Sequence, residues 1–316
     1  MTTAALVALV VSLIFAAVAP GLGRRLPPAL ATRVLVAGSL AVTGSTVFVL
    51  AVVAFTWIGQ LPEVAALGPW SSTALHHDSP IPPGVAIGSA LLLPVLGAQA
   101  LRIIVRRCRA LADVHRSCRH LPGDRSLVVV KTDHLDAFTT PEPRGRIVVT
   151  TGLLQALEPT ERRVVLAHER SHLQHRHPWW VLAADLAAAV NPSLTPTART
   201  VAQAVERWAD EDAAASVERP LAARTLARTA LLMHRGDTAN PAGALGVMTA
   251  DVPGRVQALL EPPPRRRPAS VAALVALVLA CALAAGAVQH LGERLFEHAR
   301  ASSPPAMTTS QTGTNN

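Results

Sequence analysis

The chain has few charged residues and almost no aromatic ones. Charged side chains make up 16% of the 316 residues and aromatic side chains 3%, and tyrosine is absent. A soluble domain usually has about 25% charged residues, and a disordered chain combines low hydrophobicity with high charge. Because half of this chain is hydrophobic, its composition excludes a disordered protein and favours a membrane protein with one polar domain.

Cysteine and lysine are also scarce. Three cysteines in this length exclude a disulfide scaffold, and Cys108 and Cys118 are too far apart for a usual zinc pair. Lys131 is the single lysine among 29 basic residues, a bias that we interpret as genome composition. No nucleic-acid-binding motif accompanies the net charge of +8. We therefore expect attraction to the anionic surface of a lipid bilayer and no direct nucleic-acid partner.

Several apolar runs are long enough to cross a bilayer, which takes about 20 residues. They are roughly Ala4–Leu22, Val34–Ile58, Gly84–Val105 and Ala269–Val288. The first contains a sequence similar to a signal-peptide cleavage site at Ala17–Ala19, but no basic residue precedes it. The predicted fold is therefore mainly α, with four transmembrane helices.

The distribution of charge between these runs predicts the topology. Residues 59–83 contain no Lys or Arg, whereas residues 102–268 hold 24 of the 29 basic residues. Basic loops stay in the cytoplasm, so we expect a multi-pass protein of the cell (plasma) membrane with a cytoplasmic polar domain. The predicted division is three transmembrane helices in 1–105, the polar domain in 106–268, a fourth transmembrane helix in 269–289 and a short extracytoplasmic tail in 290–316.

The polar domain is predicted to contain a small sheet followed by helices. Leu127–Val130 and Arg146–Thr150 are rich in β-branched residues and are predicted to pair as a small sheet or hairpin across a turn at 141–145. The predicted helices are Pro159–His175, Pro178–Val190, Thr195–Val217, with Thr195 as its N-cap, and Leu221–His234.

The pattern His-Glu-x-x-His occurs once in the chain, at 168–172. Residues four apart lie on one face of a helix, so His168 and His172 can hold one zinc ion. Glu169, between them, can take a proton from water at that zinc. A chain of this composition would contain about 0.02 such patterns by chance. The alternative interpretation is a polar helix face that happens to carry histidines.

A catalytic zinc site also needs a third protein ligand and an open position. Glu206 is the preferred candidate, and Asp210 follows one turn later, where it can accept the free N–H of a zinc-bound histidine. Alone, this pair would equally suit a solvated helix face. His175 and His177 are alternative ligands, although Pro178 is expected to break the helix near them.

These motifs resemble those of the integral-membrane gluzincin peptidases. That group includes the heat-shock membrane proteases, the CAAX prenyl-protein proteases and the antirepressor peptidases of the BlaR/MecR type. The resemblance is carried by Asp136–Phe138, Arg146–Leu154, Val165–His172, Glu206–Asp210, Glu211–Ala213 and Arg255–Leu260. The last two are most similar to the BlaR/MecR type. The resemblance implies an embedded α+β zincin-like domain with zinc as its cofactor.

The mechanism that the resemblance implies is zinc-assisted hydrolysis of a peptide bond. Zinc lowers the pKa of its water to about 7, and Glu169 would take the proton and later protonate the leaving amine. An edge strand at Ile147, Val148 and Val149 would bind an extended substrate through backbone hydrogen bonds. The chain has no tyrosine, so the residue that stabilises the oxyanion is left unassigned.

Several functions are compatible with these residues. The preferred one is a membrane-embedded zinc metalloendopeptidase that cleaves a cytoplasmic protein, such as a winged-helix transcriptional repressor, in a signalling pathway. A quality-control protease for membrane proteins is the first alternative. The second is a catalytically idle transducer, which the complete set of ligands and base disfavours. An intramembrane protease is disfavoured because the metal helix carries Glu161, Arg162, Arg163 and Arg170.

Overall fold

The structure is a computed structural model that describes residues 1–118, 127–140, 145–237, 251–263, 265 and 267–301. The predicted turn at 141–145, except its last residue, and the tail from Ser302 lie outside these residues. Within them the helices are α1 (Thr2–Arg24), α2 (Pro28–Ile58), α3 (Pro62–Ala65), α4 (Ser72–Asp78), α5 (Pro83–Cys118), α6 (Thr151–Ala156), α7 (Pro159–Gln174), α8 (His177–Val190), α9 (Thr195–Ala214), α10 (Arg219–Asp237), α11 (Val252–Leu260) and α12 (Pro268–Ala301). The described chain is mostly helical with a small sheet, which confirms the mainly α prediction.

Four helices of the described chain are long and apolar enough to cross a membrane. They are Thr2–Arg24, Pro28–Ile58, Pro83–Ala110 and Pro268–Ala301. Large apolar side chains on their outer faces are exposed, among them Leu91 at 66% and Leu283 at 75%. Such faces are stable in hydrocarbon and costly in water, so these helices support a membrane protein.

The chain divides into two compact units. One consists of Met1–Val11, Gly44–Val95 and the chain from Ala280 on, and the other of Ser12–Thr43 and Leu96–Leu279. In the first unit Phe55, Trp70 and Phe296 pack with ring centroids between 5.2 and 6.2 Å apart. The second unit contains the sheet and the predicted metal ligands. α12 continues through the predicted boundary at 289 to Ala301.

The sheet has three strands in the described residues: β1 (Leu127–Val130), β2 (Ala137–Thr139) and β3 (Ile147–Thr150). Their order is β1-β3-β2, with β3 parallel to β1 and antiparallel to β2. Gly152 lies in the first turn of α6, directly after β3, where a Cβ atom would lie 2.4 Å from the carbonyl oxygen of Asp133. Only glycine tolerates that approach of backbone to backbone.

The prediction that Ile147, Val148 and Val149 form an edge strand is wrong. β3 is the central strand of the described sheet, and all four of its residues are buried. The physical reason is β2, whose three residues are too few to show a strand pattern and which occupies the side of β3 that was expected to be free. β1 and β3 are parallel, so they do not form a hairpin either.

Local signals at the helix starts explain how α7 and α9 begin. Pro159 occupies the first turn of α7, as predicted, and the backbone N–H of Glu158 donates to the Glu161 carboxylate at 2.9 Å. α9 differs from the prediction, because a short 3-10 turn at Pro192–Leu194 leads into it and Leu194 takes the N-cap position. Thr195 instead donates its hydroxyl to the Pro192 carbonyl at 2.7 Å.

Two apolar clusters hold the metal helix α7 in place. On one side Val165 packs with Val149 of β3 and Leu153 of α6. On the other, Val164 packs with small residues of α9 and α10 and with Leu259 of α11. Because adjacent residues of α7 belong to different clusters, the helix is fixed between the sheet and the other helices, and its histidine face is directed at α9.

Candidate metal centre

Three of the predicted site residues meet where α7 crosses α9. The ligand atoms of His168, His172 and Glu206 all lie within 4.8 Å of one another. The two histidine Nε2 atoms are 3.1 Å apart, and the Glu206 carboxylate is 3.6 Å from one and 3.7 Å from the other. Two imidazole nitrogens and a carboxylate are a ligand set that zinc accepts. Their role as ligands stays a prediction that this geometry suits.

Asp210 orients the His168 ring from behind. Its Oδ1 lies 3.1 Å from His168 Nδ1. A proton shared with this carboxylate belongs on Nδ1, which leaves a lone pair on Nε2, toward His172 and Glu206. Asp210 therefore lies next to the outer nitrogen of a candidate ligand, and its role in holding that ring stays a prediction.

Arg255 of α11 is a buried partner that the sequence analysis did not assign. Its Nε and Nη2 atoms each donate to the Asp210 carboxylate at 2.7 Å, and its Nη1 lies 3.1 Å from Glu206 Oε2. The arginine side chain is 3% exposed and both carboxylates are 6% exposed. One guanidinium therefore neutralises part of the charge of two buried carboxylates and fixes the orientation of Asp210.

His177 supports the second histidine. Its Nδ1 lies 3.0 Å from the Nδ1 of His172, so His172 can donate from Nδ1 and direct its Nε2 lone pair toward His168. His177 is buried, and its own Nε2 has no hydrogen-bond partner among the described residues. Burial and the neighbouring His172 hold the pKa of His177 down, at about 3. The structure places this alternative ligand behind His172 and outside the group of candidate ligands.

His175, the other alternative ligand, also has different partners. Its Nε2 lies 3.0 Å from the Asp212 carboxylate, which accepts a second hydrogen bond of 2.6 Å from the Ser171 hydroxyl. Its ring stacks on Trp208 with centroids 4.4 Å apart. These contacts direct His175 away from the group of candidate ligands and give it a packing role.

Glu169, the predicted base, is buried beside the sheet. The Thr139 hydroxyl lies 2.9 Å from its Oε2 and 2.9 Å from its main-chain oxygen. Burial raises the pKa of Glu169 to about 7, against the opposing effects of His168 and Thr139. A carboxylate with such a pKa can both accept and return a proton at neutral pH. The Thr139 contact was not predicted, because β2 was not recognised as a strand.

The electrostatics of the group favour a cation. Burial alone would lower the pKa of His168, but the neighbouring carboxylates of Asp210 and Glu206 outweigh it and raise that pKa to about 10. Glu206 Oε2 is buried without a hydrogen bond. Its nearest cationic group is Arg255 Nη1, 3.1 Å away, which forms an ion pair with it. The two Nε2 atoms, 3.1 Å apart, need a proton or a metal ion between them. The residues therefore fit a divalent metal.

Comparisons with known proteins cover the part of the chain that contains this site. Residues 103–209 match Peptidase family M48, a stretch that contains His168, Glu169, His172 and Glu206 and excludes Arg255. The match supports a zinc metallopeptidase family of the membrane type and does not single out the BlaR/MecR type.

Curated relatives point to the same class. "Protease HtpX homolog" of Acidiphilium cryptum is 38% identical over 93 residues, 28% of this chain and 32% of the relative. The homologue of Moorella thermoacetica is 40% identical over 81 residues, 25% of this chain and 24% of the relative. That of Thermoplasma acidophilum is 46% identical over 50 residues, 16% of each chain. The chain thus spans less than a third of the length of these relatives, and no solved structure matches it.

Proposed function

We propose that the chain is a membrane-embedded zinc metalloendopeptidase. The observation that carries the proposal is the convergence of His168, His172 and Glu206 within 4.8 Å, next to the buried carboxylate of Glu169. The match to Peptidase family M48 over the same residues supports it. The orientation with the polar domain in the cytoplasm of a multi-pass plasma-membrane protein is part of the proposal and depends on the charge distribution.

His168, His172 and Glu206 would hold the zinc ion. Bound there, zinc supplies a Lewis acid that polarises a carbonyl group and makes water more acidic. Asp210 and His177 keep the two histidine rings turned so that their Nε2 lone pairs face the centre. Glu169 takes a proton from the attacking water and returns it to the leaving amine, with the Thr139 hydroxyl holding the carboxylate in place.

The substrate is an extended protein segment that pairs with β2. Since β3 is central, β2 is the edge of the described sheet that touches the base, through Thr139. A strand added beside Ala137–Thr139 would take its backbone hydrogen bonds from that edge. Its scissile bond would then lie near Glu169. This binding mode requires a flexible or locally unfolded target.

The finer proposal is that the target is a cytoplasmic winged-helix repressor in a signalling pathway. It is supported by the similarity of Glu211–Ala213 and Arg255–Leu260 to the BlaR/MecR type. The matched relatives are named proteases only, so a quality-control protease is the second candidate. Co-expression with a candidate repressor separates the two: a quality-control enzyme would leave a folded repressor intact and degrade misfolded membrane proteins.

The test of the peptidase itself uses Glu169→Gln. Gln is nearly isosteric and is not a ligand in this scheme, so zinc content should be unchanged, while proteolysis should fall by about 10²–10⁴-fold. The His168→Ala, His172→Ala double variant should lose the metal. New protein N-termini in cells that make the wild type are compared with those in cells that make Glu169→Gln, with zinc measured on both purified proteins. Equal sets of N-termini would support the idle transducer instead.

A further inference from the structure

An open pocket of about 450 Å³ lies in the same compact unit as the metal centre. One wall is a face of α9 formed by Thr200, Gln203, Ala204 and Arg207, and another is the outer face of α11 from Gly254 to Glu261. The remaining walls are the end of α1 with the start of α2, and Pro262, Arg265 and Arg267 before α12. α11 therefore faces the metal centre with Arg255 and this pocket with its opposite side.

The pocket is strongly basic. Five arginines line it: Arg24, Arg25, Arg207, Arg265 and Arg267. None of them forms an ion pair within the described part of the chain, and the Nε of Arg207 is buried there without a hydrogen bond. The two acidic side chains of the lining have partners on α11, since Asp251 accepts from the backbone N–H of Gly254 and Glu261 accepts from Gln257. The arginines are thus left for a ligand.

The position of these arginines in the fold selects the kind of ligand. Arg24 is the last residue of α1, and Arg25 follows it in the link to α2. Arg265 and Arg267 directly precede α12. Each of these three helices is long and apolar enough to span a membrane. Arg207 lies on α9, and the other four of the five arginines therefore lie at the polar ends of spans. That is the level of phospholipid headgroups.

We propose that this pocket binds the phosphate headgroup of an anionic phospholipid. Guanidinium groups bind phosphate oxygens in pairs of parallel hydrogen bonds, and basic pockets between membrane helices suit such headgroups. The proposal does not rest on peptidase activity. It also gives α11 a second support, because a bound headgroup would contact the helix that carries Arg255.

The experiment measures lipid retained by the full-length protein in nanodiscs of phosphatidylcholine with a minor fraction of phosphatidylglycerol. The Arg24→Gln, Arg265→Gln variant should retain phosphatidylglycerol about 10–30-fold less well than the wild type. Arg106→Gln, Arg109→Gln is the matched control, because both arginines are exposed near the end of the apolar span Pro83–Ala110 and outside the pocket. Its loss of retention should be smaller than that of the pocket variant, because exposed arginines contribute charge but make no paired hydrogen bonds to a headgroup.

Further measurements distinguish a lipid headgroup from free phosphate, and a charge-conserving variant controls for misfolding. Arg24→Lys, Arg265→Lys keeps the charge and the fold, and should lose part of the retention because the paired hydrogen bonds are lost. Equal retention by the pocket variant and the control variant would overturn the proposal. Pocket-dependent binding of inorganic phosphate without any preference for phosphatidylglycerol would assign a soluble phosphate instead. Pocket-dependent binding of an oligonucleotide in preference to the lipid would also overturn it.

Discussion

Replacing Arg255 with leucine tests whether the buried charges of the metal centre depend on one guanidinium. Leucine removes the positive charge and the hydrogen bonds to Asp210, and leaves the carboxylates of Asp210 and Glu206 beside His168. Both carboxylates are only 6% exposed, so water cannot replace the lost partner without opening the site. The substitution should therefore destabilise the whole unit around α9 and α11.

The expected magnitude follows from the geometry. Two hydrogen bonds of 2.7 Å join fully buried opposite charges, and removing one partner of such a pair costs about 3–5 kcal/mol. A Coulomb estimate at an effective dielectric constant of about 20 and a charge separation of about 4 Å gives roughly 4 kcal/mol. For 316 residues, at about 2.1 cal/mol/K of unfolding entropy per residue, that corresponds to a fall in Tm of roughly 5–8 °C.

Thermal unfolding of the chelator-treated protein in detergent measures this change in Tm. Tryptophan fluorescence reports the unfolding, because Trp208 lies on α9 itself. Arg107→Leu is the control, because Arg107 pairs with Asp185 at a side-chain exposure of 53%, and exposed pairs contribute about 0–1 kcal/mol. Adding Asp210→Asn to Arg255→Leu should restore part of the stability by removing the unpaired charge. A Tm for Arg255→Leu equal to that of Arg107→Leu would refute the reasoning.

Three further predictions concern the centre and the topology. Asp210→Ala should weaken zinc binding by about 10–100-fold in a chelator competition, and an unchanged affinity would remove Asp210 from the site. His177→Ala should weaken zinc binding in the same assay by about tenfold, because His172 loses the partner that orients its ring. His177→Asn should recover most of the affinity, because its Oδ1 can replace Nδ1 as the acceptor. Equal losses of affinity in both variants would indicate that His177 contributes packing alone. An alkaline phosphatase reporter fused after Cys118 should be inactive and one fused after Ala301 active, and the reverse pattern would place the polar domain outside the cytoplasm.

The parts of the site that sequence predicts are those encoded by local spacing. His168 and His172 are four residues apart, so helix geometry alone brings them to one face. Glu206 and Asp210 are also one turn apart, and together with the first motif they were expected at the centre. The four apolar helices follow from run length in the same way.

The parts that sequence missed depend on contacts between distant segments. Arg255 lies 45 residues from Asp210, and a single arginine has no pattern that identifies its partner. β2 is three residues long, too short for alternation to reveal it, so nothing in the sequence corrected the edge-strand assignment that the family resemblance gave to β3. The contact of Thr139 with Glu169 was lost for the same reason. The orientation of His177 toward His172 depends on the left-handed backbone of Arg176, which has a φ of 53°.

Arg255 also imposes an order on the making of the protein. Asp210 is synthesised 45 residues before Arg255, and during that interval the carboxylates of α9 have no guanidinium to accompany them into the interior. Burying them unpaired would cost several kcal/mol, so α9 stays hydrated on the nascent chain until α11 has emerged. A chain interrupted before Arg255 is therefore expected to expose α7 and α9 to cellular proteases.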